Sequence, residues 1–126
     1  MKIQSIGIIG AGIMGNGIAQ ICAIHGLQVT MIDIDQAALT RGTDNITKNL
    51  ERLVKKGIIT REALDQTLTR VLGSTDYERL KGQDFIIEAA TENQGLKERI
   101  LKQVDTIVSA ETIIATNTSS LSLIHI

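Results

Sequence analysis

The stretch Ile3-Gln4-Ser5-Ile6-Gly7-Ile8-Ile9-Gly10-Ala11-Gly12-Ile13-Met14-Gly15 orders the rest of the chain. Its first half is a short β-branched run ending on a glycine, as a buried strand does. Residues 13–25 then read as a helix, with Gly26 as its C-terminal stop. A second strand over 28–32 runs into Asp33-Ile34-Asp35. Further strands are expected at 84–89 and 112–116, with a shorter one at 71–74. Over 94–108, Leu96, Ile100, Leu101, Val104 and Val108 recur at helical spacing. This strand–helix alternation predicts an α/β domain, a doubly wound parallel sheet with right-handed crossovers. The connection over 36–70 is longer than one crossover helix needs. It is expected to hold an inserted helix pair: a long helix from Gln36 to about Lys56, a break at Gly57, and a second helix after Thr60.

Gly10-Ala11-Gly12-Ile13-Met14-Gly15 is a G-x-G-x-x-G loop between a strand and a helix, and Asp33 closes the next strand 18 residues after Gly15. In that context each glycine has a task. Gly10 permits the tight turn, Gly12 lets a pyrophosphate approach the backbone, and Gly15 allows close packing of helix on strand. The pyrophosphate then meets free N–H groups, those of Ile13 and Met14 included, at the positive end of the helix dipole. A tight turn without ligand is the competing reading. Asp33 stands where a carboxylate accepts from the adenosine ribose hydroxyls, and a 2′-phosphate there would meet like charge. No arginine follows before Arg41, so NAD is favoured over NADP. Asp35 is expected as the N-cap of the long helix.

Two strand ends are unusually polar: Glu88-Ala89-Ala90-Thr91-Glu92-Asn93 and Thr116-Asn117-Thr118-Ser119-Ser120. Ligands of parallel sheets bind beyond such ends, although helix capping would select the same residue types. Charge is also uneven. Residues 36–82 hold nine Lys/Arg and six Asp/Glu, and the remainder four and eight. Arg52, Lys55 and Lys56 cluster near the end of the long helix. They are either cations suiting the helix dipole or a docking surface for an anionic ligand.

Composition narrows the classes. At 126 residues the chain is one domain's worth, given ~100–200 residues per domain. Its 43% apolar and 21% charged residues are ordinary for a globular domain. A net charge of −1 gives no electrostatic case for nucleic acid or an anionic membrane. One tyrosine and one phenylalanine are too few for base-stacking platforms. No apolar run approaches the ~20 residues of a membrane span, and no signal-peptide core opens the chain. The single cysteine, Cys22, excludes an internal disulfide and a Cys-based zinc site. It points to a reducing, cytoplasmic setting and a packing role. No metal site is expected, and His25 reads as a cation or surface group at a helix end.

Taken together, Ile9–Gln20, Glu88–Asn93 and Ala115–Ser122 resemble the 3-hydroxyacyl-CoA dehydrogenases, with the bacterial 3-hydroxybutyryl-CoA dehydrogenases nearest in character. The resemblance implies a Rossmann-like NAD domain over 1–122, partial at its C-terminus, followed in the family by a helical domain that dimerises. It implies oxidation of the 3-hydroxyl of an (S)-3-hydroxyacyl-CoA to a ketone, with hydride passing to NAD. Gly10, Gly12, Ile13, Met14 and Gly15 would hold the pyrophosphate and Asp33 the ribose. Ala89, Glu92, Lys97 and Asn117 would line the nicotinamide side, and Ser119 would hydrogen-bond the reacting oxygen of the substrate. Lys56 and Asn49, the latter where the family can have a serine, would contact coenzyme A. Gln94 and Gly95 depart from the family pattern, and a first-turn glycine weakens a helix by ~1 kcal/mol.

Hydride transfer also needs a base for the hydroxyl proton. The family's histidine, in a Gly-x-His-Phe-Phe-Asn-Pro motif, and its glutamate partner would follow residue 126, as would the dimerising domain. The chain is thus expected to be the N-terminal part of a homodimeric enzyme, inactive by itself. Residues 123–126 depart from the family. Leu121–Ile126 can be encoded by a transposon end used in preparing sequencing libraries, so the tail is expected to be read-through. Two other readings stand beside this one: a stand-alone dinucleotide-binding module, and a related NAD-dependent hydroxyacid dehydrogenase whose substrates lack CoA.

Overall fold

The computed structural model describes residues 3–89, 94–109 and 111–116. In chain order these form β1 (Ser5–Ile9), α1 (Ile13–Ile24), β2 (Gln28–Ile32), α2 (Gln36–Lys55), α3 (Arg61–Thr69), β3 (Val71–Ser74), a 3-10 turn (Tyr77–Leu80), β4 (Phe85–Glu88), α4 (Gln94–Asp105) and β5 (Ile113–Thr116). Every strand pairing is parallel and the order is β3-β2-β1-β4-β5. The chain winds outward from β1 to β3, then restarts on the other side of β1 with β4 and β5. That reversal opens a crevice at the carboxyl ends of β1 and β4, the doubly wound arrangement the alternation predicts.

Strand periodicity divides the core in two. Ile6 and Ile8 of β1 and Val29 and Met31 of β2 pack with Ala19 and Ala23 of α1, Leu39, Ile46 and Leu50 of α2, and Leu64 of α3. Their neighbours Ile9, Ile32 and Ile86 point the other way and pack with Leu80, Ile100 and Val104. Both faces of the sheet are therefore covered, which is why its strands read as continuous apolar runs rather than alternating ones.

Local chemistry sets the element ends. Asp35 caps α2 as expected, its carboxylate accepting from Ala37 N–H at 2.9 Å. Thr60 caps α3 by accepting from Ala63 N–H at 3.0 Å. Gly57, with φ 74°, makes the left-handed turn that ends the long helix one residue earlier than anticipated, with Lys56 as its C-cap. His25 is the C-cap of α1, its Nδ1 donating to the Ile21 carbonyl at 2.7 Å. The helix expected over 94–108 stops at Asp105, and α4 forms despite Gly95. The turn Tyr77–Leu80 was not anticipated. It is nucleated by Asp76, which accepts from Glu78 N–H at 2.9 Å. Asp84, expected inside a strand, instead precedes β4 and accepts from Gln4 N–H (2.8 Å) and Ser5 N–H (3.2 Å), tying β4 to the start of β1.

Candidate functional site

At the carboxyl end of β1 the chain turns sharply through Gly10, whose φ of 106° disfavours any side chain. Gly10 N–H donates to the Ile32 carbonyl at 2.6 Å, so the turn is anchored on β2. Ala11 is held on every side. Its N–H donates to Asp33 Oδ2 at 3.0 Å, and its carbonyl accepts from Asn16 Nδ2 at 3.3 Å. A Cβ on Gly42 of α2 would lie 2.7 Å from the Ala11 carbonyl oxygen, so the glycine lets the long helix close over the loop. A Cβ on Gly15 would overlap the Gly10 carbonyl oxygen, which makes that glycine a requirement of the turn itself more than of helix–strand packing.

Gly12 differs from both. A Cβ there would meet nothing within 4 Å, so the chain's own packing does not demand glycine. Space beside the backbone at a helix N-terminus is what an incoming pyrophosphate uses. Gly12 is the N-cap of α1 and supplies no side-chain cap. The adjoining Ile13 and Met14 are 88% and 51% exposed at this mouth.

Asp33 closes β2 beside the loop. Its Oδ1 accepts from Asp35 N–H at 2.9 Å while Oδ2 holds Ala11. Each carboxylate oxygen has a further lone pair for a hydroxyl donor. From Asp33 a groove of about 820 Å³ runs across the sheet end between the 3-10 turn and α4, with Ile34, Tyr77, Leu96, Arg99 and Ile100 among its walls. Burial pushes the Tyr77 phenol up, with Asp33 and Glu88 adding repulsion against its anion.

An ion pair is buried at the carboxyl end of β4. Lys97 Nζ of α4 is 2.7 Å from Glu88 Oε1 at the end of β4, and the two side chains are 1% and 0% exposed. Ala89 N–H donates to the Ile9 carbonyl at 2.8 Å, which carries the β1–β4 pairing up to the edge of the crevice. Lys97 and Ala89 are thus brought to the crevice end of β4, with the Lys97 ammonium in the interior. Glu92, Asn117 and Ser119 lie outside the described residues.

The expected coenzyme A residues sit apart from this crevice, on α2. Asn49 donates through Nδ2 to Gln20 Oε1 of α1 at 3.0 Å, so its amide bridges the two helices. Lys56 is exposed at the end of the helix. Beside it, Lys48, Arg52 and Lys55 border a groove of about 470 Å³, whose wall carries a two-pronged Arg61–Glu51 pair at 2.8 and 2.9 Å. Arg61 holds the Glu51 carboxyl below its usual range. Cys22 is half-buried and burial raises its thiol pKa, which fits a packing role.

The roles of three contributors escaped the sequence reading, although Glu88 was singled out at a polar strand end and Asn16 lies in the glycine-loop stretch. Asn16 carried a signal, being a helix-unfavourable residue in the first turn of α1. Gly42 is a glycine within a helix of 20 residues, also a visible anomaly. Glu88 ends an otherwise apolar strand, but nothing local pairs it with Lys97. Among the described residues no group of three or more His, Cys, Asp or Glu could hold a metal ion, and no helix is long and apolar enough to cross a membrane.

Comparison with known proteins adds four findings. The family profile described as "3-hydroxyacyl-CoA dehydrogenase, NAD binding domain" matches residues 5–126. Among curated proteins, an Escherichia coli 3-hydroxyadipyl-CoA dehydrogenase is 39% identical over 123 residues, covering 98% of this chain and 26% of that protein. A Mycobacterium tuberculosis 3-hydroxybutyryl-CoA dehydrogenase is 35% identical over 125 residues, covering 98% of this chain and 44% of that one. Among solved structures, an (S)-3-hydroxybutyryl-CoA dehydrogenase from Ralstonia eutropha superposes with a TM-score of 0.91 at 52% identity, covering 94% of this chain and 42% of that chain. The chain thus spans less than half the length of each of these proteins.

Proposed function

The chain belongs to the 3-hydroxyacyl-CoA dehydrogenase family through its NAD-binding domain, and on that premise we propose that it is the cofactor-binding part of an enzyme oxidising (S)-3-hydroxyacyl-CoA to 3-oxoacyl-CoA. The observation that carries this reading is the Gly12 position, where glycine serves no packing need of the chain and leaves the loop backbone open. NAD bound there would supply the hydride acceptor.

The chain's own residues then divide the binding work. Gly10, Gly12, Ile13, Met14 and Gly15 present the loop backbone and helix N-terminus to the pyrophosphate. Asp33, already fixed by two N–H donors, takes the adenosine ribose. Ala89, Glu92, Lys97 and Asn117 would serve the nicotinamide half, Lys97 from the interior through its pair with Glu88, and Ser119 would hydrogen-bond the reacting oxygen. Lys56 and Asn49 meet coenzyme A along α2, the former by charge. The general base and the dimerising helical domain would come from chain beyond residue 126, in a cytoplasmic homodimer.

NADH fluorescence titration tests the assignment. Saturable binding is expected for the 126-residue chain, with Gly12→Val abolishing it while lowering the thermal midpoint by only a few degrees, because the new side chain enters open space and costs no more than a poorer N-cap. Acetoacetyl-CoA reduction is expected only when the longer chain is present. Turnover by the 126-residue chain would overturn the division of labour, and equal NADH binding by Gly12→Val would overturn the loop assignment.

A further inference from the structure

We infer that Asn16 is a positioning residue that aims the phosphate-facing N–H groups of the glycine loop, an inference that rests on the dinucleotide reading above. Asn16 lies in the first turn of α1 and is 5% exposed. Its Nδ2 donates to two successive carbonyls, Ala11 at 3.3 Å and Gly12 at 2.7 Å. The Gly12 carbonyl already accepts the helical bond from Asn16 N–H at 2.9 Å, so the side chain adds a second donor at that oxygen. The Ala11 carbonyl lies before the helix and depends on the side chain for this bond.

Peptide units are planar and trans, so a carbonyl and the following N–H point in opposite directions. Holding the Ala11 carbonyl toward Asn16 turns Gly12 N–H away from the buried flank of α1. Holding the Gly12 carbonyl does the same for Ile13 N–H. These donors belong to the open mouth, where Gly12 has no neighbour to a Cβ and Ile13 is 88% exposed. Consecutive N–H groups aimed into one concavity are an anion-binding arrangement. Without the amide donor the Ala11–Gly12 peptide is free to rotate. Rotation would exchange an N–H donor for a carbonyl oxygen, which repels a phosphate. Asp33 fixes the other side of Ala11 through its N–H, so the two side chains together clamp one residue from opposite ends. Asparagine competes with backbone groups for hydrogen bonds and is disfavoured in helices for that reason. Here that competition is turned to setting the loop.

The test compares the 126-residue chain with Asn16→Ala, Asn16→Leu and Asn16→Ser, by NADH titration and by displacement of NADH with ADP and with adenosine. Asn16→Ala and the volume-filling Asn16→Leu are expected to weaken NADH and ADP about tenfold, the scale of one lost buried hydrogen bond. Adenosine, which has no phosphate, should be unaffected. Asn16→Ser should be as weak as Asn16→Ala, because a hydroxyl reaches only the carbonyl four residues back, here Gly12, as Thr43 and Thr47 do at 2.8 and 3.0 Å, and leaves the Ala11 carbonyl without its donor. Unchanged ADP affinity in a folded Asn16→Ala or Asn16→Leu overturns the inference. So does an equal loss for adenosine, or an Asn16→Ser that binds ADP as tightly as the parent. A parent chain that binds neither NADH nor ADP overturns the dinucleotide reading itself, and the role of Asn16 with it.

Discussion

Asp33 holds the loop through two hydrogen bonds and, on the proposed reading, would also take the ribose. Its carboxylate accepts from Ala11 and Asp35 N–H groups, and its free lone pairs face the groove where a ribose would lie. Asp33→Ala therefore removes a ribose acceptor and a loop anchor together. Hydrogen bonds to charged groups contribute ~1.5–3 kcal/mol, so NADH affinity should fall about tenfold or more. The preference over NADPH should narrow, since the like charge that repels a 2′-phosphate is gone. Parallel NADH and NADPH titrations measure both, and superimposed NADH curves for variant and parent would remove the ribose assignment. The turn at Gly10 and the placement of Gly12 and Asp33 beside it were legible because spacing along a strand–loop–helix unit sets them. For Gly15 the residue was legible and the reason was not. Its Cβ would overlap the Gly10 carbonyl, a contact made by the turn once folded.

Elements were readable where their ends carry side-chain chemistry. Asp35, Thr60 and Gly57 mark the inserted helix pair to within a residue. The Tyr77–Leu80 turn was not readable, because four residues are too few to show a period. Asp84 shows what joins elements distant in sequence. Backbone N–H bonds from Gln4 and Ser5 hold its carboxyl below the usual range. A carboxyl lowered by folding stabilises the fold above its unfolded pKa, ~3.9, and loses that contribution as pH falls through the folded value. Asp84→Asn should thus lower the thermal midpoint at neutral pH. The gap between parent and variant should shrink as acid protonates the parent's carboxyl. Melting curves across pH measure it, and a gap that stays constant into strong acid would show that the charge contributes nothing.

At the scale of the whole molecule, two cores sandwich one sheet, and the Glu88–Lys97 pair is buried on the α4 side at its crevice end. Removing one member of a buried pair costs ~3–5 kcal/mol, whereas replacing both by apolar groups is often neutral. Lys97→Met should therefore destabilise strongly, and Glu88→Leu combined with Lys97→Met should recover much of the loss in denaturant unfolding. Additive effects in the double variant would mean the two groups are not coupled. Sequence by itself determined the parallel α/β class, the inserted helix pair, the glycine loop and the acid at the end of β2, because strand period, helix caps and turn glycines act within a few residues. Tertiary structure decided which groups meet across the chain. It set Asn49 on Gln20, Gly42 over Ala11, Asn16 under two loop carbonyls and Lys97 against Glu88. Some of these partners are distant in the chain and all depend on exact backbone geometry, so they form only when the sheet and its helices close on one another.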